Sequence, residues 1–483
     1  MSDDRSIETG AVAVKAGLWY TICNFLFKGM AFLSTPIFSR LMSKEELGGF
    51  SNFSSWVSIL FVVTSMDLSQ SIIRSKLELE EDIDSYIWSI LSMSTLWTLL
   101  LYIFVCIFMP FFSNLFETEA KYIHIMFLYL FSAPAYFMLI TKNRAFYKYK
   151  SFVAMTGPMA VSGIGLSLLL VFIMQDRLGG RIIGYYLPQI IIGFVIFVLL
   201  ACRGKRIKIQ YWKYASILML PLVPHVLSLY LLAASDKIII TKFCGEEYTA
   251  VYSIAYTVYH VVTVLFDSMN KAWAPWLLES LHNKNYETIR NASRKYIAVF
   301  FTLMLGVMLL VPEIILILGS SKYMRAVWCL PPLIASCVFQ FIYTMYVNIE
   351  FYEKKTLGVS FATMIATAIN ILLNILIIPL WPPEYSYVIA AYTTLAGYIV
   401  LFILHFFLVK RLKMDFVYDI KFILMILGLT LAVSGIMNYL YGISALRYCI
   451  VAVYTIVILY FGYRNKTKML QFIKNKKNSR LLL

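Results

Sequence analysis

Fourteen long apolar stretches, separated by short polar segments, constrain the fold of this 483-residue chain more than any other feature. Each is about as long as the roughly 20 apolar residues that a helix needs to cross a bilayer. The sequence therefore predicts an all-α, polytopic integral membrane protein with 14 transmembrane helices. We place them at roughly 14–39, 49–73, 85–112, 122–141, 152–175, 182–201, 214–241, 249–272, 295–318, 326–349, 357–379, 385–408, 419–440 and 444–463.

The amino-acid composition agrees with this prediction. The chain is 60% hydrophobic and 14% charged, with a mean hydropathy of +0.76, whereas soluble proteins average about 25% charged residues. The first dozen residues are polar and lack a signal-peptide cleavage pattern, so we expect the first apolar stretch to be retained as a helix. The 7 cysteines are scattered without a CxxC pair, which indicates neither a disulfide framework nor a metal site.

The distribution of positive charge predicts the orientation of the chain. If the N-terminus is placed on one side, the loops and tails on that side hold 31 of the 42 Lys and Arg residues, and the loops on the other side hold 10. Positive residues accumulate in cytoplasmic loops, so we expect both termini to be cytoplasmic. The formal net charge of +16 then follows from topology, and we expect the basic tail, 464–483, to lie against anionic lipid headgroups rather than nucleic acid.

An internal repeat predicts two similar units. The segments SKEELGGFSNF (43–53) and CGEEYTAVYSIAY (244–256) share a pattern of two acids, a small residue, an aromatic residue and a serine. Their offset of about 200 residues, or six predicted spans, corresponds to two units of the same orientation, as in parallel-repeat transporters. We therefore predict a cytoplasmic N-terminus (1–13), an N-lobe (14–201), a cytoplasmic linker (202–213), a C-lobe (214–408), two extra C-terminal helices (419–463) and a basic cytoplasmic tail (464–483).

Three longer strings resemble one protein family. They are FSRLMSKEELGGFSNF, then LPLVPHVLSLYLLAASDKIIITKF with EEYTAVYSIAY, then ATAINILLNILIIP followed by YVIAAY. They are similar to the polysaccharide flippases of the multidrug/oligosaccharidyl-lipid/polysaccharide exporter superfamily, and the resemblance covers nearly the whole chain. It implies transport of undecaprenyl-diphosphate-linked oligosaccharides, such as O-antigen or capsule repeat units, from the cytoplasmic to the outer face of the bacterial inner membrane. The loop WPPEYS departs from the Gly-containing loop more usual in that family.

The motifs in the chain point away from catalysis. The sequence has no GxxxxGK[ST] phosphate loop and no recognisable catalytic constellation, so we expect neither an enzyme nor a cofactor. The expected partners are the lipid-linked oligosaccharide substrate, the lipid bilayer and the polysaccharide polymerase machinery, without nucleic acid. A cation-coupled drug exporter and a lipid II flippase of the same superfamily stay open as alternatives, and a non-transporting scaffold is a third.

A lysine lies near the middle of the first apolar stretch, which contains no acidic residue. A cation at the membrane centre costs at least about 2.5–3.5 kcal/mol, so we expect Lys28 to face protein or a wet cavity, together with Asn24 on the same helical face. With the resemblance, we expect both to bind the substrate, and Arg144 to attract its diphosphate at the cytoplasmic entrance. The alternatives are a lysine that extends to the membrane interface and an ordinary positive-inside loop arginine.

A polar stripe follows one face of the eighth predicted span. Tyr256, His260, Thr263, Asp267 and Lys271 are spaced by three or four residues. We interpret the stripe as a cavity wall in which Tyr256 and His260 contact the substrate, while Asp267 and Lys271 act in ion coupling or gating. The alternative is a structural Asp267–Lys271 pair and a histidine bonded to a neighbouring helix. After this span we expect an interfacial helix and a turn.

Two more acids are candidates for ion coupling or gating. Asp67 and Arg74 are two turns apart on one face of the second predicted span and would form an inner gate with the Asp267 cluster. The alternative for Arg74 is an ordinary solvated helix end. We expect Asp236, in the seventh span, to lock the two lobes together rather than to take part in transport chemistry. In the same span Pro221 and Pro224 interrupt backbone hydrogen bonding, which predicts a kink that could serve as a hinge.

Four polar residues share one face of the eleventh predicted span: Thr363, Thr367, Asn370 and Asn374. Asparagine side chains in membrane helices commonly bond to neighbouring helices. We therefore favour a packing role for this face over a role in lining a cavity.

Overall fold

The structure is a computed structural model that describes residues 32–464. Within this range the chain is helical apart from turns and 3-10 segments, and it contains no β-strand. The helices are α1 (32–41), α2 (Lys44–Ser65), α3 (Ser71–Glu78), α4 (Ile83–Ile107), α5 (Met109–Phe116), α6 (Ala120–Ala145), α7 (Tyr149–Ile173), α8 (Arg177–Gly204), α9 (Ile209–Met219), α10 (Val223–Cys244), α11 (Glu246–His282), α12 (Tyr286–Leu309), α13 (Val311–Gly319), α14 (Leu330–Tyr352), α15 (Thr356–Ile377), α16 (Pro383–Arg411), α17 (Ile420–Leu440) and α18 (Ser444–Arg464).

Twelve helical segments of the described chain are long and apolar enough to cross a membrane. They correspond in order to the second through thirteenth predicted spans, so the prediction of an all-α polytopic membrane protein is confirmed. The last predicted span coincides with α18, whose apolar part, Ser444–Tyr460, is shorter. The first predicted span, 14–39, lies mostly outside the described residues, and the count of 14 stays a prediction.

The repeated motif sets the start of α2. The Ser43 hydroxyl accepts a hydrogen bond from the Glu46 backbone N–H, and the Glu46 carboxylate accepts one from the Ser43 N–H at 2.7 Å. This reciprocal capping satisfies two of the backbone donors that a helix N-terminus leaves free, and such a cap stabilises a helix by about 1 kcal/mol. The sequence SKEE therefore fixes where α2 begins.

The two copies of the motif pack against each other, at the N-termini of α2 and α11. A Cβ added to Gly48 would lie 1.8 Å from the Glu246 carbonyl oxygen, so only glycine permits this approach. Beside it, the Lys44 ammonium pairs with the Glu247 carboxylate at 2.5 Å. We call this contact the α2–α11 seam. It joins the N-terminal half of the chain (α1–α8) to the C-terminal half (α9–α18).

The two halves differ in how they bury apolar side chains. In the C-terminal half one continuous core runs through α10–α17, with α14 at its centre. In the most apolar 18-residue stretch of Ser321–Tyr352, 83% of residues are buried, against 28% in Tyr149–Ile173. The N-terminal half instead has two separate clusters, one around Ile123 and Leu130 and one around Ile87 and Ile90. This division leaves room for a cavity beside the N-terminal half.

Two predicted spans differ from the observed helices at their cytoplasmic ends. The second span, predicted to run to residue 73, breaks at Met66 and Asp67, which both adopt left-handed backbone conformations with φ of 48°. The chain then continues through a 3-10 turn into α3. The predicted interfacial helix after the eighth span is wrong as a separate element, because α11 continues without a break to His282.

The predicted kink in the seventh span is confirmed. The helix stops at Met219, a 3-10 turn that contains Pro221 follows, and α10 starts at Val223 with Pro224 in its first turn. Proline lacks the N–H that a continuous helix would need at these positions. The span is therefore two helices joined at a break.

The last helix is attached to the C-terminal half through a buried ion pair. The Arg447 guanidinium donates two hydrogen bonds to the Glu313 carboxylate, at 2.6 and 2.7 Å, and a third to the Leu309 carbonyl oxygen at 2.8 Å. Farther along α18, the Tyr454 hydroxyl donates to the Thr302 carbonyl oxygen. A bidentate arginine–carboxylate contact is geometrically specific, so it fixes where α18 packs.

Candidate functional site

A cavity of about 840 Å³ lies between the two halves of the chain. Its walls come mainly from α2, α6, α7 and α8, with α1 contributing Phe38 and its neighbours. On the side of the C-terminal half the wall is narrower and consists of Tyr230 on α10 and Ser253, Ile254 and Thr257 on α11. The N-terminal half therefore forms most of the cavity wall, and the C-terminal half closes its remaining side.

The cavity extends from the α2–α11 seam toward the opposite end of the helices. Along α7 its lining runs from Ile164 to Phe152, which corresponds to about 18 Å at the helical rise per residue. It ends at the turn that carries Asp67 and Gln70 and at Arg144, whose side chain is exposed. The cavity is thus closed by packing at the seam and reaches solvent at the Arg144 end, which we call the mouth.

A buried arginine lies in the wall near the seam. Arg181 is 8% exposed, and its guanidinium carbon lies 3.3 Å from the centre of the Phe38 ring and 4.6 Å from that of Phe50. Its Nε and Nη1 atoms have no hydrogen-bond partner, and no carboxylate among residues 32–464 pairs with it. A buried charge without a partner is costly, although stacking on aromatic rings offsets part of that cost. The arrangement is what a receptor for an anion requires.

Arg181 was not identified from the sequence, because it falls at the boundary of the predicted sixth span and counts there as a loop cation. Arg181 lies in the second turn of α8, beyond the first turn in which the helix dipole is strongest, so its position in the sequence does not set it apart from an ordinary loop cation.

The middle of the cavity is rich in aromatic rings and hydroxyl groups. Tyr185 and Tyr186 are adjacent rings 5.0 Å apart, and Tyr129 lies 4.9 Å from Tyr186. The Tyr186 hydroxyl donates to the Ser54 hydroxyl at 3.3 Å. Rings beside hydroxyl and amide groups, such as Gln189, can pack against apolar faces and bond to polar edges of the same ligand.

The mouth carries groups of both signs. The Asp67 side chain is partly buried, and this desolvation raises the pKa of its carboxyl from 3.8 to about 6, although a hydrogen bond with Gln70 opposes the rise. Arg144 lies at the end of α6 and lines the same opening. Asp67 and Arg144 thus line one opening, and the roles predicted for them stay predictions. The charge at the mouth therefore changes over a pH range close to neutral.

The predicted partnership of Asp67 with Arg74 is wrong. The helix breaks between them, so they do not share a helical face, and the Arg74 guanidinium pairs instead with Glu78 at 3.2 Å on the exposed side of α3. The positions of Lys28 and Asn24 lie outside the described residues, and their binding of substrate stays a prediction.

The predicted wall on α11 is formed by a different face of that helix. Tyr256 is 6% exposed in the core of the C-terminal half, with the Lys237 ammonium 4.5 Å from its ring centre. His260 is exposed, stands edge-on to the Tyr256 ring and does not line the cavity. Successive helical residues point about 100° apart, so the lining falls on Ser253 and Thr257. Asp267 and Lys271 lie farther along α11, also outside the lining.

Asp236 does not lock the two halves together, because its partners all belong to the C-terminal half. The carboxylate is 1% exposed and accepts hydrogen bonds from Tyr252 at 2.6 Å, Asn374 at 2.7 Å and Thr394 at 2.5 Å. These residues come from α11, α15 and α16, so one side chain on α10 joins four helices. The predicted packing role of the α15 polar face is confirmed by Asn374, and by Thr367, which donates to the Ser228 carbonyl oxygen.

Comparisons with known proteins agree with this architecture. The model of the family described as "Polysaccharide biosynthesis protein" matches residues 13–281. A protein of the Lsg locus of Haemophilus influenzae is 24% identical over 214 residues, which cover 42% of this chain and 53% of that protein, so the match spans about half the length of the relative.

Solved structures share the fold at low sequence identity. The lipid II flippase MurJ in an inward closed conformation aligns with a TM-score of 0.63 and 18% identity over 93% of this chain and 100% of its own. A MOP superfamily transporter from Pyrococcus furiosus aligns with a TM-score of 0.50 and 15% identity over 82% of this chain and 96% of its own. The resemblance seen in the sequence is confirmed: the chain belongs to the polysaccharide biosynthesis protein family, and it shares the fold of these two solved structures.

Proposed function

We propose that this protein is a flippase, not an enzyme, for undecaprenyl-diphosphate-linked oligosaccharide repeat units of O-antigen or a similar surface polysaccharide. It would carry them from the cytoplasmic to the outer face of the bacterial inner membrane and supply the polymerase machinery there. The observation that carries the proposal is Arg181, a buried cation without a carboxylate partner in the described chain, in the wall of a cavity lined by aromatic and hydroxyl groups.

The chemistry of such a cargo matches the cavity. A diphosphate is recognised by planar arginine donors, which match its oxygens better than any other side chain. The sugar units present hydroxyl groups and apolar ring faces, for which the tyrosines and Ser54 near the cavity centre are suitable partners. We assign Lys28 and Asn24 to the same cationic site and Arg144 to the capture of the diphosphate at the mouth.

The transport cycle that we propose is alternating access. We place the mouth on the cytoplasmic side because the loops at that end carry the excess of Lys and Arg, and we take this structure as a state that the α2–α11 seam closes at the outer face. Two lobes, 14–201 and 214–408, would rock about the linker 202–213 and the break at Pro221 and Pro224. Opening would separate Gly48 from Glu246.

We further propose that an ion gradient resets the cycle, with Asp67, Asp267 and Lys271 as candidates for coupling or gating. Asp67 is supported by its place at the mouth and by the rise of its carboxyl pKa to about 6.

The proposal is tested by restoring surface polysaccharide in a deletion strain with variants of the protein. Arg181→Ala should abolish the polysaccharide at unchanged protein level, whereas Arg203→Ala, which removes an exposed arginine from the same helix, should restore it fully. Normal polysaccharide with Arg181→Ala would contradict the proposal. A lipid II flippase would be indicated if deletion of the gene killed the cell, and a drug exporter if deletion changed only drug sensitivity.

A further inference from the structure

A second cavity, of about 600 Å³, lies in the C-terminal half and shares no lining residue with the first. It is formed by the 3-10 segment Ser321–Cys329, the first turns of α16 and the last turn of α17. We call it the α16–α17 pocket. The lining side chains with polar groups or exposed rings are Arg325, Trp328, Glu384, Tyr385, Tyr392 and Asn438.

Part of the pocket comes from the loop WPPEYS, in which this chain departs from the pattern of the family it resembles. Pro382 precedes α16 and Pro383 begins it. Because proline has a fixed φ that suits the first position of a helix, the loop enters α16 along a defined path. Glu384 and Tyr385 follow directly, and both line the pocket. The unusual loop therefore supplies two of the groups that a ligand would contact.

The pocket offers polar groups of several kinds. Arg325 and Glu384 are exposed in its lining, and neither forms an ion pair with a described residue. The Asn438 amide donates a hydrogen bond to the Tyr392 hydroxyl oxygen at 3.1 Å. This contact uses neither the Tyr392 O–H group nor the Asn438 carbonyl oxygen. A ligand could therefore bond to a guanidinium, a carboxylate, an amide oxygen and a hydroxyl around one opening.

Three accessible aromatic rings surround these polar groups. The exposed fractions of Trp328, Tyr385 and Tyr392 are 41%, 66% and 44%. Tyr387, by contrast, is 1% exposed, and its hydroxyl donates to the Arg325 carbonyl oxygen at 3.1 Å, which anchors the wall of the pocket. Aromatic side chains together with a few placed polar groups are typical of binding sites for small molecules.

The pocket lies at the same end of the molecule as the α2–α11 seam. In its 3-10 segment, the Lys322 ammonium donates to the Met42 carbonyl oxygen at 2.7 Å, in the turn before α2. At the start of α16, the Ser386 hydroxyl lies 3.1 Å from the Sγ atom of Cys244, close to Glu246 in the chain. Two walls of the pocket therefore adjoin the seam, and in the proposed orientation the pocket is at the outer face.

We infer that the α16–α17 pocket is a saccharide-binding site, which holds the sugar head of the cargo after it has passed the seam. Sugars present hydroxyl groups that donate and accept hydrogen bonds, and apolar ring faces that pack on aromatic side chains. The Glu384 carboxylate accepts from such hydroxyls, and the Arg325 guanidinium donates to them. A site for a diphosphate would instead concentrate cations, whereas the two charges here cancel.

The inference rests on the proposed function for the identity of the sugar, which is the repeat unit that the flippase carries. The pocket shares no residue with the anion site at Arg181. Binding of a free sugar therefore requires neither the lipid, nor the diphosphate, nor transport. The two proposals can be tested separately.

The test follows a single cysteine in the pocket. Val388 lines the pocket without a polar group, and Val388→Cys is made in a background without the 7 native cysteines. In right-side-out membrane vesicles an impermeant thiol reagent should label this cysteine. The probe consists of oligosaccharide repeat units released by hydrolysis from the surface polysaccharide of the same strain. At about ten times its Kd, it should slow the labelling roughly tenfold.

Matched controls restrict this protection to the pocket. Tyr439→Cys places a thiol beside Asn438 at a residue that is 82% exposed and outside the lining, and its labelling should not respond to the oligosaccharide. Labelling of Val388→Cys that requires permeabilised vesicles, or labelling at an unchanged rate when the oligosaccharide is added, overturns the inference.

Substitutions of the polar and aromatic groups identify the contacts. Combined with Val388→Cys, Trp328→Ala and Glu384→Gln should each raise the oligosaccharide concentration needed for protection about tenfold. Trp381→Ala removes an exposed ring from the same loop outside the lining and should leave that concentration unchanged. If either variant lowers the melting temperature, Tyr385→Ala, at the most exposed of the three rings, takes its place. Equal protection in all variants overturns the inference.

A phospholipid headgroup is the competing occupant. Native mass spectrometry of the purified protein counts the phospholipids that stay bound. If Trp328→Ala and Glu384→Gln lose a phospholipid while the oligosaccharide protects every variant equally, the pocket binds a headgroup and the inference is overturned.

The outcomes also separate this site from the proposed function. Normal polysaccharide with Arg181→Ala, together with protection lost in Trp328→Ala, would refute the proposed function and leave the saccharide site intact. Absence of protection in Val388→Cys, together with loss of polysaccharide in Arg181→Ala, would refute the saccharide site alone.

Discussion

Two buried ionisable side chains, one in each half of this protein, are held in opposite ways. In the C-terminal half, Asp236 is surrounded by three donors inside a continuous core. In the N-terminal half, Arg181 lies in the wall of a cavity, and no described carboxylate compensates its charge. A satisfied buried group stabilises and specifies a structure, whereas an unsatisfied one is retained only where something else requires it. The comparison assigns scaffolding to Asp236 in the C-terminal half and recognition to Arg181 in the N-terminal half.

The largest expected effect is a loss of transport when Arg181 is replaced. Arg181→Met keeps a long apolar side chain against Phe38 but removes the charge. Loss of a buried charged contact costs roughly 2–5 kcal/mol of binding, so transport should fall at least tenfold. The melting temperature should stay the same or rise, because an uncompensated cation has been removed. Surface polysaccharide and thermal unfolding of the purified protein measure the two effects.

The next largest effect is expected on stability, when Asp236 in the C-terminal half is replaced. Asp236→Ala leaves the donors of Tyr252, Asn374 and Thr394 without an acceptor, and each unsatisfied donor costs about 1–3 kcal/mol. The free energy of unfolding should therefore fall by roughly 3 kcal/mol or more, as measured by thermal or denaturant unfolding in detergent. If Asp236→Ala were as stable as the unmodified protein while Arg181→Met were destabilised, the roles assigned to the two halves would be reversed.

A smaller effect is expected at the contact that joins the halves. Gly48→Val places side-chain atoms where the Glu246 backbone lies, and should keep the α2–α11 seam from closing. Gly165→Val is the matched control, because a Cβ there meets nothing within 4 Å. A cysteine introduced at Ser51, which lines the cavity, should react with an impermeant thiol reagent from the outer side only in Gly48→Val. Equal reaction in both variants would mean that the seam is not the outer closure.

The smallest effect concerns pH at the mouth. Because burial raises the pKa of the Asp67 carboxyl from 3.8 to about 6, the folded protein binds this proton more tightly than the unfolded chain does. Stability should fall as pH rises through that window, and Asp67→Asn should remove this slope. Melting temperatures of both proteins, measured between pH 3.8 and about pH 6, check this prediction. If the melting temperature of Asp67→Asn fell with pH as steeply as that of the unmodified protein, another group would be responsible.

Much of the fold follows from the order of apolar stretches, because a helix is the structure that satisfies its own backbone in lipid. The break after α2 does not follow from the order of apolar stretches. The sequence around Met66 and Asp67 has neither glycine nor proline, so nothing in it predicts two consecutive left-handed residues there. The seam was visible in the sequence as a repeat, although the repeat alone did not show that its two copies touch.

The candidate site could be predicted only in part. Arg144 and Asp67 were recognised because charged residues at the ends of apolar stretches are conspicuous. Arg181 was missed because α8 begins at Arg177, five residues before the predicted start of the sixth span, and this boundary error turned a buried side chain into a loop residue. The α16–α17 pocket was not predicted, because Trp328, Glu384 and Asn438 lie on three separate helical segments and only the packing of these segments brings them around one opening.

The most direct test of the central claim is the binding of a polyprenyl diphosphate to the purified protein. We predict that the unmodified protein and Arg203→Ala bind this probe with the same affinity, and that Arg181→Met binds it at least tenfold more weakly, in line with the loss of one buried charged contact. Equal binding by all three proteins would contradict the assignment of the anion site to Arg181 and, with it, the role given to the cavity.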